Sequence, residues 1–115
     1  MNTIKISSFS NEAASKTKGE HLKDLLLPYL STKQSVAVDF SGIDCFASPF
    51  FNNSFSSLAL IYGFDLINQI KLVGINEIGY STYTSSIENA KLLSENPEYS
   101  NSITKIISDA PKKME

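Results

Sequence analysis

The residues able to do chemistry cluster in the run Asp39-Phe40-Ser41-Gly42-Ile43-Asp44-Cys45-Phe46-Ala47-Ser48-Pro49. Ser48-Pro49 has the form of a helix start, with a hydroxyl as N-cap and proline in the first turn. The same position suits a phosphoacceptor, because a helix N-terminus offers unpaired N–H donors and tolerates added negative charge. Spacing alone fits both roles. Asp39 and Asp44 bracket a turn after an apolar run, and ligands of open α/β sheets gather at the carboxyl ends of strands. Two carboxylates there would hold a cation, or would bond local backbone N–H groups as turn residues, and we favour the turn. Cys45 precedes a helix start, where a thiolate is stabilised, yet its apolar neighbours favour a buried, inert thiol. His21, the one histidine, falls beside Leu22 in a helical stripe, and nothing brings it to Ser48 as a base. The five glycines, at 19, 42, 63, 74 and 79, form no phosphate-binding spacing.

These residues need elements to position them. Residues 3–9 alternate at first and predict a half-buried strand at a sheet edge. Residues 11–18 are polar and read as a loop. Thr17 and Glu20 have the capping-box spacing, followed by an amphipathic stripe of Leu22, Leu25, Leu26, Tyr29 and Leu30. Pro28 lies within that stripe and is expected to kink its last turn or end it near Leu27. Residues 35–40 read as a central strand buried on both faces. From Ser48 a second helix places Phe51, Phe55, Leu58, Ala59 and Tyr62 on one face, and Gly63 closes it. Residues 71–75 form the next strand, parallel to the central one through a right-handed crossover. Ser85 to Glu88 is a second capping box, residues 76–84 being ambiguous. Asn96-Pro97 opens a last helix with Tyr99, Ile103, Ile106, Ile107 and Ala110 on one face, and 111–115 is a polar tail.

Composition narrows the function classes. The chain has 115 residues, 42% of them hydrophobic, enough for one core and one domain spanning 1–115. Net charge is −2, and all ten basic residues are lysine. That argues against nucleic-acid binding, which uses a basic face and arginine, and against a polybasic membrane anchor. A single Cys and a single His exclude an internal disulfide and a multi-His or multi-Cys metal site within one chain. No apolar run is long enough for a membrane span, and the first residues lack a secretory pattern, so a cytoplasmic location is expected.

Two stretches carry a family resemblance. Val36-Ala37-Val38-Asp39-Phe40-Ser41-Gly42-Ile43 followed by Ser48-Pro49-Phe50-Phe51-Asn52-Asn53-Ser54-Phe55-Ser56-Ser57-Leu58 resembles the STAS-like domains of unknown function. Those have a strand ending Asp-Phe-x-Gly-Val and a helix start of the form Ser-Ser-Phe-Leu-Asp-Glu-Ala-Phe-Gly-x-Leu. Upstream, Gly19-Glu20-His21-Leu22 to Leu27-Pro28-Tyr29-Leu30 is similar to the family's Gly-Glu-x-Phe-Arg…Leu-x-Pro-x-Leu segment. The family is related to the anti-sigma-factor antagonists, in which a serine at a helix N-terminus is phosphorylated by a histidine-kinase-like ATPase. Counting from Asp39, Ser48 falls on that serine. The departures are Ala47 for the antagonists' Asp, Pro49-Phe50 for their Ser-Gly, Asn52-Asn53 for the STAS-like acidic pair, and Lys23 for its Arg.

The resemblance implies an α/β, STAS-like sandwich: a small, mostly parallel mixed sheet with helices packed on it. It implies a non-catalytic bacterial regulatory module without a cofactor, whose partner is a histidine-kinase-like ATPase or an associated regulator. The partner would meet Asp44, Ala47, Ser48, Pro49, Phe50, Asn52 and Asn53, with Ser48 as candidate phosphoacceptor. Phe50 lies off the main stripe and is either an exposed anchor or packed beneath 43–47. Two rival readings are a small-ligand or metal-binding domain using Asp39, Asp44 and the helix N-terminus, and a homo-oligomer joined by the last helix.

Overall fold

The computed structural model describes residues 2–95. The elements run β1 (Asn2–Lys5), α1 (Lys16–Ser31), β2 (Val36–Asp39), α2 (Ser48–Asn52), α3 (Phe55–Tyr62), β3 (Ile70–Val73) and α4 (Glu77–Glu95), with 3-10 turns at Ile6–Ser8 and Phe64–Gln69. The fold is α/β. Its three strands lie in the order β1-β2-β3, all parallel, so the sheet of the described residues is not mixed. The expected helix after Asn96 lies outside the described residues.

Register explains how the sheet meets the helices. Val38 pairs with Ile4 on one side and Leu72 on the other, and Val36 sits between Asn2 and Ile70. Val36, Val38, Ile4 and Ile70 belong to the core formed with the helices, and Leu72 packs against it. The alternate row puts Ala37 between Thr3 and Lys71, and both flanking residues are exposed. Side chains alternate across a strand, so the core lies on one face of the sheet and polar side chains border the other.

Helix boundaries follow local hydrogen bonds more than the sequence templates do. Ser15, not Thr17, caps α1: its Oγ accepts the N–H of Lys18 at 3.2 Å. Leu22, Leu26 and Leu30 are buried, whereas Leu25 is 37% exposed, so the buried stripe has a four-residue period. The helix does not end at Leu27 but passes Pro28 and closes at Ser31. Proline so near the end removes one ladder bond of the last turn, and the Pro28 carbonyl accepts the hydroxyls of Ser31 and Thr32.

The expected single helix from Ser48 to Tyr62 is two helices. Ser54 leaves helical geometry at φ −123°, ψ −91°, and its hydroxyl donates to the Phe50 carbonyl at 2.8 Å. That competing side-chain bond is available to serine and breaks the rod. The break lets Phe50, Phe51 and Phe55 all reach the interior. Tyr62 leaves the buried face and is 57% exposed. The last described helix begins at Glu77, well before the Ser85 capping box, because Asn76 caps it: its Oδ1 accepts the N–H of Gly79 at 2.8 Å. Ser86 is buried inside that helix, bonded to Ser56 and Asn52 at 2.6 Å each. The first strand is shorter than 3–9 because Ile6 begins a 3-10 turn, and the third starts at Ile70.

Candidate functional site

The carboxyl end of β2 turns through Asp39, Ser41 and Gly42. Asp39 Oδ1 accepts both the backbone N–H of Ser41 at 2.9 Å and its hydroxyl at 2.6 Å. These bonds, the side-chain one first, hold the Asp39 carboxyl below its ordinary range. Gly42 takes φ +83° in that turn. Gly74, at the neighbouring end of β3, has φ +68°, and a Cβ there would come within 2.9 Å of Asp39 Oδ1. Asp39 is therefore the turn residue the sequence favours.

From this turn the chain crosses to α2. Phe40 and Ile43 are buried, and the Ile43 N–H donates to the Phe40 carbonyl at 2.9 Å. Phe46 packs against the first turn of α4, where a Cβ on Gly79 would sit 2.6 Å from its ring. Asp44 and Cys45 between these anchors are exposed, so Cys45 is not the buried thiol its apolar neighbours suggest. The apolar contacts of the segment are made by Ile43 and Phe46, and the two residues between them face solvent.

Residues 45–47 are held by a second strip of chain. Ala13 N–H donates to the Cys45 carbonyl at 2.8 Å, and Ala47 N–H donates to the Ala13 carbonyl at 3.1 Å. Together they make an isolated parallel bridge between Ala13 and Phe46. Ala13 is fully buried by it. Glu12 secures the strip, its Oε1 accepting the N–H groups of Ala14 at 2.7 Å and Ser15 at 3.1 Å. Burial pushes the Glu12 carboxyl up, but these bonds, with help from Lys18, outweigh it and hold the group below its ordinary value.

Ser48 follows directly. It is the first helical residue rather than the cap, because Ala47 is held extended at φ −153°, ψ 156° by the bridge and takes the cap position itself. The Ser48 hydroxyl therefore makes no capping bond and has no hydrogen-bond partner among the described residues, and the residue is exposed. Pro49 beside it is exposed too.

The remaining expected surface residues point elsewhere. Phe50 is fully buried, 5.2 Å from the Phe51 ring and 6.3 Å from Phe40, so it is no surface anchor. Asn52 Oδ1 accepts the Ser86 hydroxyl at 2.6 Å. Asn53 Nδ2 donates to the Pro49 carbonyl at 2.7 Å and closes α2. The Asn52 amide is thus tied to the buried Ser86 of α4, while the Asn53 amide closes α2 at the surface, and both residues are half-buried. His21 is exposed and lies against the Phe9 ring, 4.5 Å between centroids, as a surface residue of α1. Of the residues singled out in the stretch 39–53, Asp44, Cys45, Ser48 and Pro49 are exposed, and Ala47, Asn52 and Asn53 are half-buried. Sequence reasoning missed Glu12 and Ala13; the run of polar residues that reads as a loop hides the bridge.

Two clefts lie away from this set. One of about 210 Å³ is lined by Leu27, Leu30, Ser31, Tyr62 and Leu66. Another of about 330 Å³ is lined by the 3-10 turn after Gly63 and by Tyr83, Ile87 and Lys91 of α4. Neither includes Asp39, Asp44 or Ser48. No group of three or more His, Cys, Asp or Glu suited to a metal ion occurs among the described residues, and no helix there is long and apolar enough to cross a membrane.

A family model described as a STAS-like domain of unknown function matches residues 18–80. That span covers more than half the chain, from the first turn of α1 through the Ser48 segment to the start of α4. No curated protein and no solved structure matches the chain.

Proposed function

This chain belongs to the family of STAS-like domains of unknown function, and on that premise we propose that it is a non-catalytic regulatory module that binds a protein partner through the surface carrying Ser48. The partner is a histidine-kinase-like ATPase or a regulator joined to one, and phosphorylation of Ser48 switches the interaction. The observation that carries this reading is the Ser48 hydroxyl: exposed, without a hydrogen-bond partner among the described residues, and set on a segment pinned on both sides. A hydroxyl committed to a helix cap would have to give up that bond to react; this one gives up nothing.

A phosphate at this position adds nearly two negative charges and three acceptor oxygens to the surface. With only five residues, α2 supplies little dipole, so the new charge acts mainly on what approaches from solvent. Asp44 and Pro49 flank the change as fixed, accessible neighbours. The two bonds from Ser41 to Asp39 Oδ1 favour the turn role over a cation site there.

The test compares wild type, Ser48→Ala and Ser48→Asp for binding to a histidine-kinase-like ATPase recovered with the chain from its native cells, by calorimetry on purified components. The reading expects Ser48→Asp to change affinity at least about tenfold, a coupling of about 1.4 kcal/mol, with Ser48→Ala close to unphosphorylated wild type. Equal affinity of all three, or no binding at all, contradicts it.

A further inference from the structure

The strip at residues 10–15 has the hydrogen bonds of a latch. Ser10 Oγ donates to the Glu12 carbonyl at 2.8 Å and accepts the Glu12 N–H at 3.1 Å, which fixes the start of the strip. The Glu12 carboxylate gathers the N–H groups of Ala14 and Ser15, and Ser15 in turn caps α1 through Lys18. Ala13 is therefore held from both sides. Its own N–H and carbonyl are the groups that bind Cys45 and Ala47. No other backbone bond from a distant segment reaches residues 44–48 among the described residues.

We propose that Glu12 is a positioning residue for the Ser48 surface: by clamping the strip around Ala13, it holds residues 45–47 extended and so fixes where Ser48 is presented. The meaning of that surface rests on the proposed function, but the mechanical coupling does not. Glu12 touches none of residues 44–48 through its carboxylate; its effect passes through the Ala13 backbone. An ionised carboxylate accepting two backbone N–H bonds is a strong local clamp. Its removal frees Ala14 and Ser15 directly, and loosens the bridge to Ala47 one residue away.

Amide hydrogen exchange of the full chain, followed residue by residue by NMR, tests the coupling in wild type, Glu12→Ala and Glu12→Gln. Glu12→Ala is expected to accelerate exchange at Ala14, Ser15 and Ala47 by roughly tenfold or more, with β2 amides unchanged. Glu12→Gln keeps an acceptor oxygen and is expected to restore most of the protection at all three. Acceleration at Ala14 and Ser15 with Ala47 unaffected overturns the proposal, because the strip would then not govern the Ser48 segment. A loss of protection that extends through β2 overturns it too, since Glu12 would then serve the whole fold. The readout uses unmodified protein without a partner, so it stands or falls separately from the phosphorylation of Ser48.

Discussion

Gly19 of α1 lies against the backbone of Phe50 in α2, so close that a Cβ at position 19 would collide with the Phe50 carbonyl and approach its Cα to 3.1 Å. That carbonyl also accepts the buried Ser54 hydroxyl, which fixes the break between α2 and α3. In an exposed helix, Gly→Ala gains about 0.5–1 kcal/mol from backbone entropy and propensity. Here the clash is with backbone, which cannot swing aside. Gly19→Ala is therefore expected to destabilise by about 1–3 kcal/mol, as overpacked cores do. Urea denaturation checks the sign: a more stable variant would mean the two helices separate easily.

The hydroxyl of Ser48 makes no hydrogen bond among the described residues. Ser48→Ala and Ser48→Asp should each change folding stability by no more than about 0.5 kcal/mol, in the range of ordinary surface substitutions. For Ser48→Ala the N-cap role that the sequence suggests would mean a larger loss, about 1 kcal/mol, whereas Asp would keep a cap at that position. Thermal melts of the two variants beside wild type separate the assignments.

A buried polar relay joins three elements: Ser56 and Ser86 are nearly inaccessible and share a bond of 2.6 Å, and Ser86 donates to Asn52. Ser86→Ala leaves the Ser56 hydroxyl buried without that partner and should cost about 1–3 kcal/mol. Replacing both serines by alanine should cost less than the sum of the single changes, since the bond between the two hydroxyls is then lost once and neither hydroxyl is left buried without the other, Asn52 Oδ1 alone losing its donor. A double-mutant cycle in urea measures the difference.

Acid should lower the folding stability of the chain. Glu12 and Asp39 both have carboxyls held below their ordinary values of 4.5 and 3.8 in the folded chain. A depressed folded value means that the unfolded chain binds protons first as pH falls, so the stabilisation is complete above the unfolded values and lost on acidification through the folded ones. Stability should thus be flat near neutrality and decline below about pH 4.5. Glu12→Gln removes its share of the decline; an unchanged acid slope in that variant would contradict the assignment.

Much of the fold is legible in the sequence because it rests on pattern. The alternating and apolar runs at 3–9, 35–40 and 71–75 correspond to the three strands, and Asp39-Phe40-Ser41-Gly42 to the turn that follows β2. Helix starts were less legible, since several hydroxyl and amide residues compete for each cap. Thr17 and Ser85 fit the capping-box spacing, yet Ser15 and Asn76 have the backbone geometry to cap. Phe50 shows a different limit. A helical wheel continued through Asn53 and Ser54 puts it off the buried face; the break at Ser54 rotates the two halves so that both faces are interior. The Ala13 bridge is illegible for a simpler reason: two backbone groups pair with a segment over thirty residues away, and small polar side chains around them carry no sign of it.

Site-directed photo-crosslinking in the native cells tests the central claim most directly. A crosslinking residue placed at exposed Asp44, beside Ser48, is compared with one at exposed Lys71 on β3. The account predicts that position 44 captures a histidine-kinase-like ATPase or its associated regulator, identified by mass spectrometry, that position 71 does not, and that Ser48→Asp alters the yield. Capture of the same protein equally at both positions, or none at position 44, would contradict it.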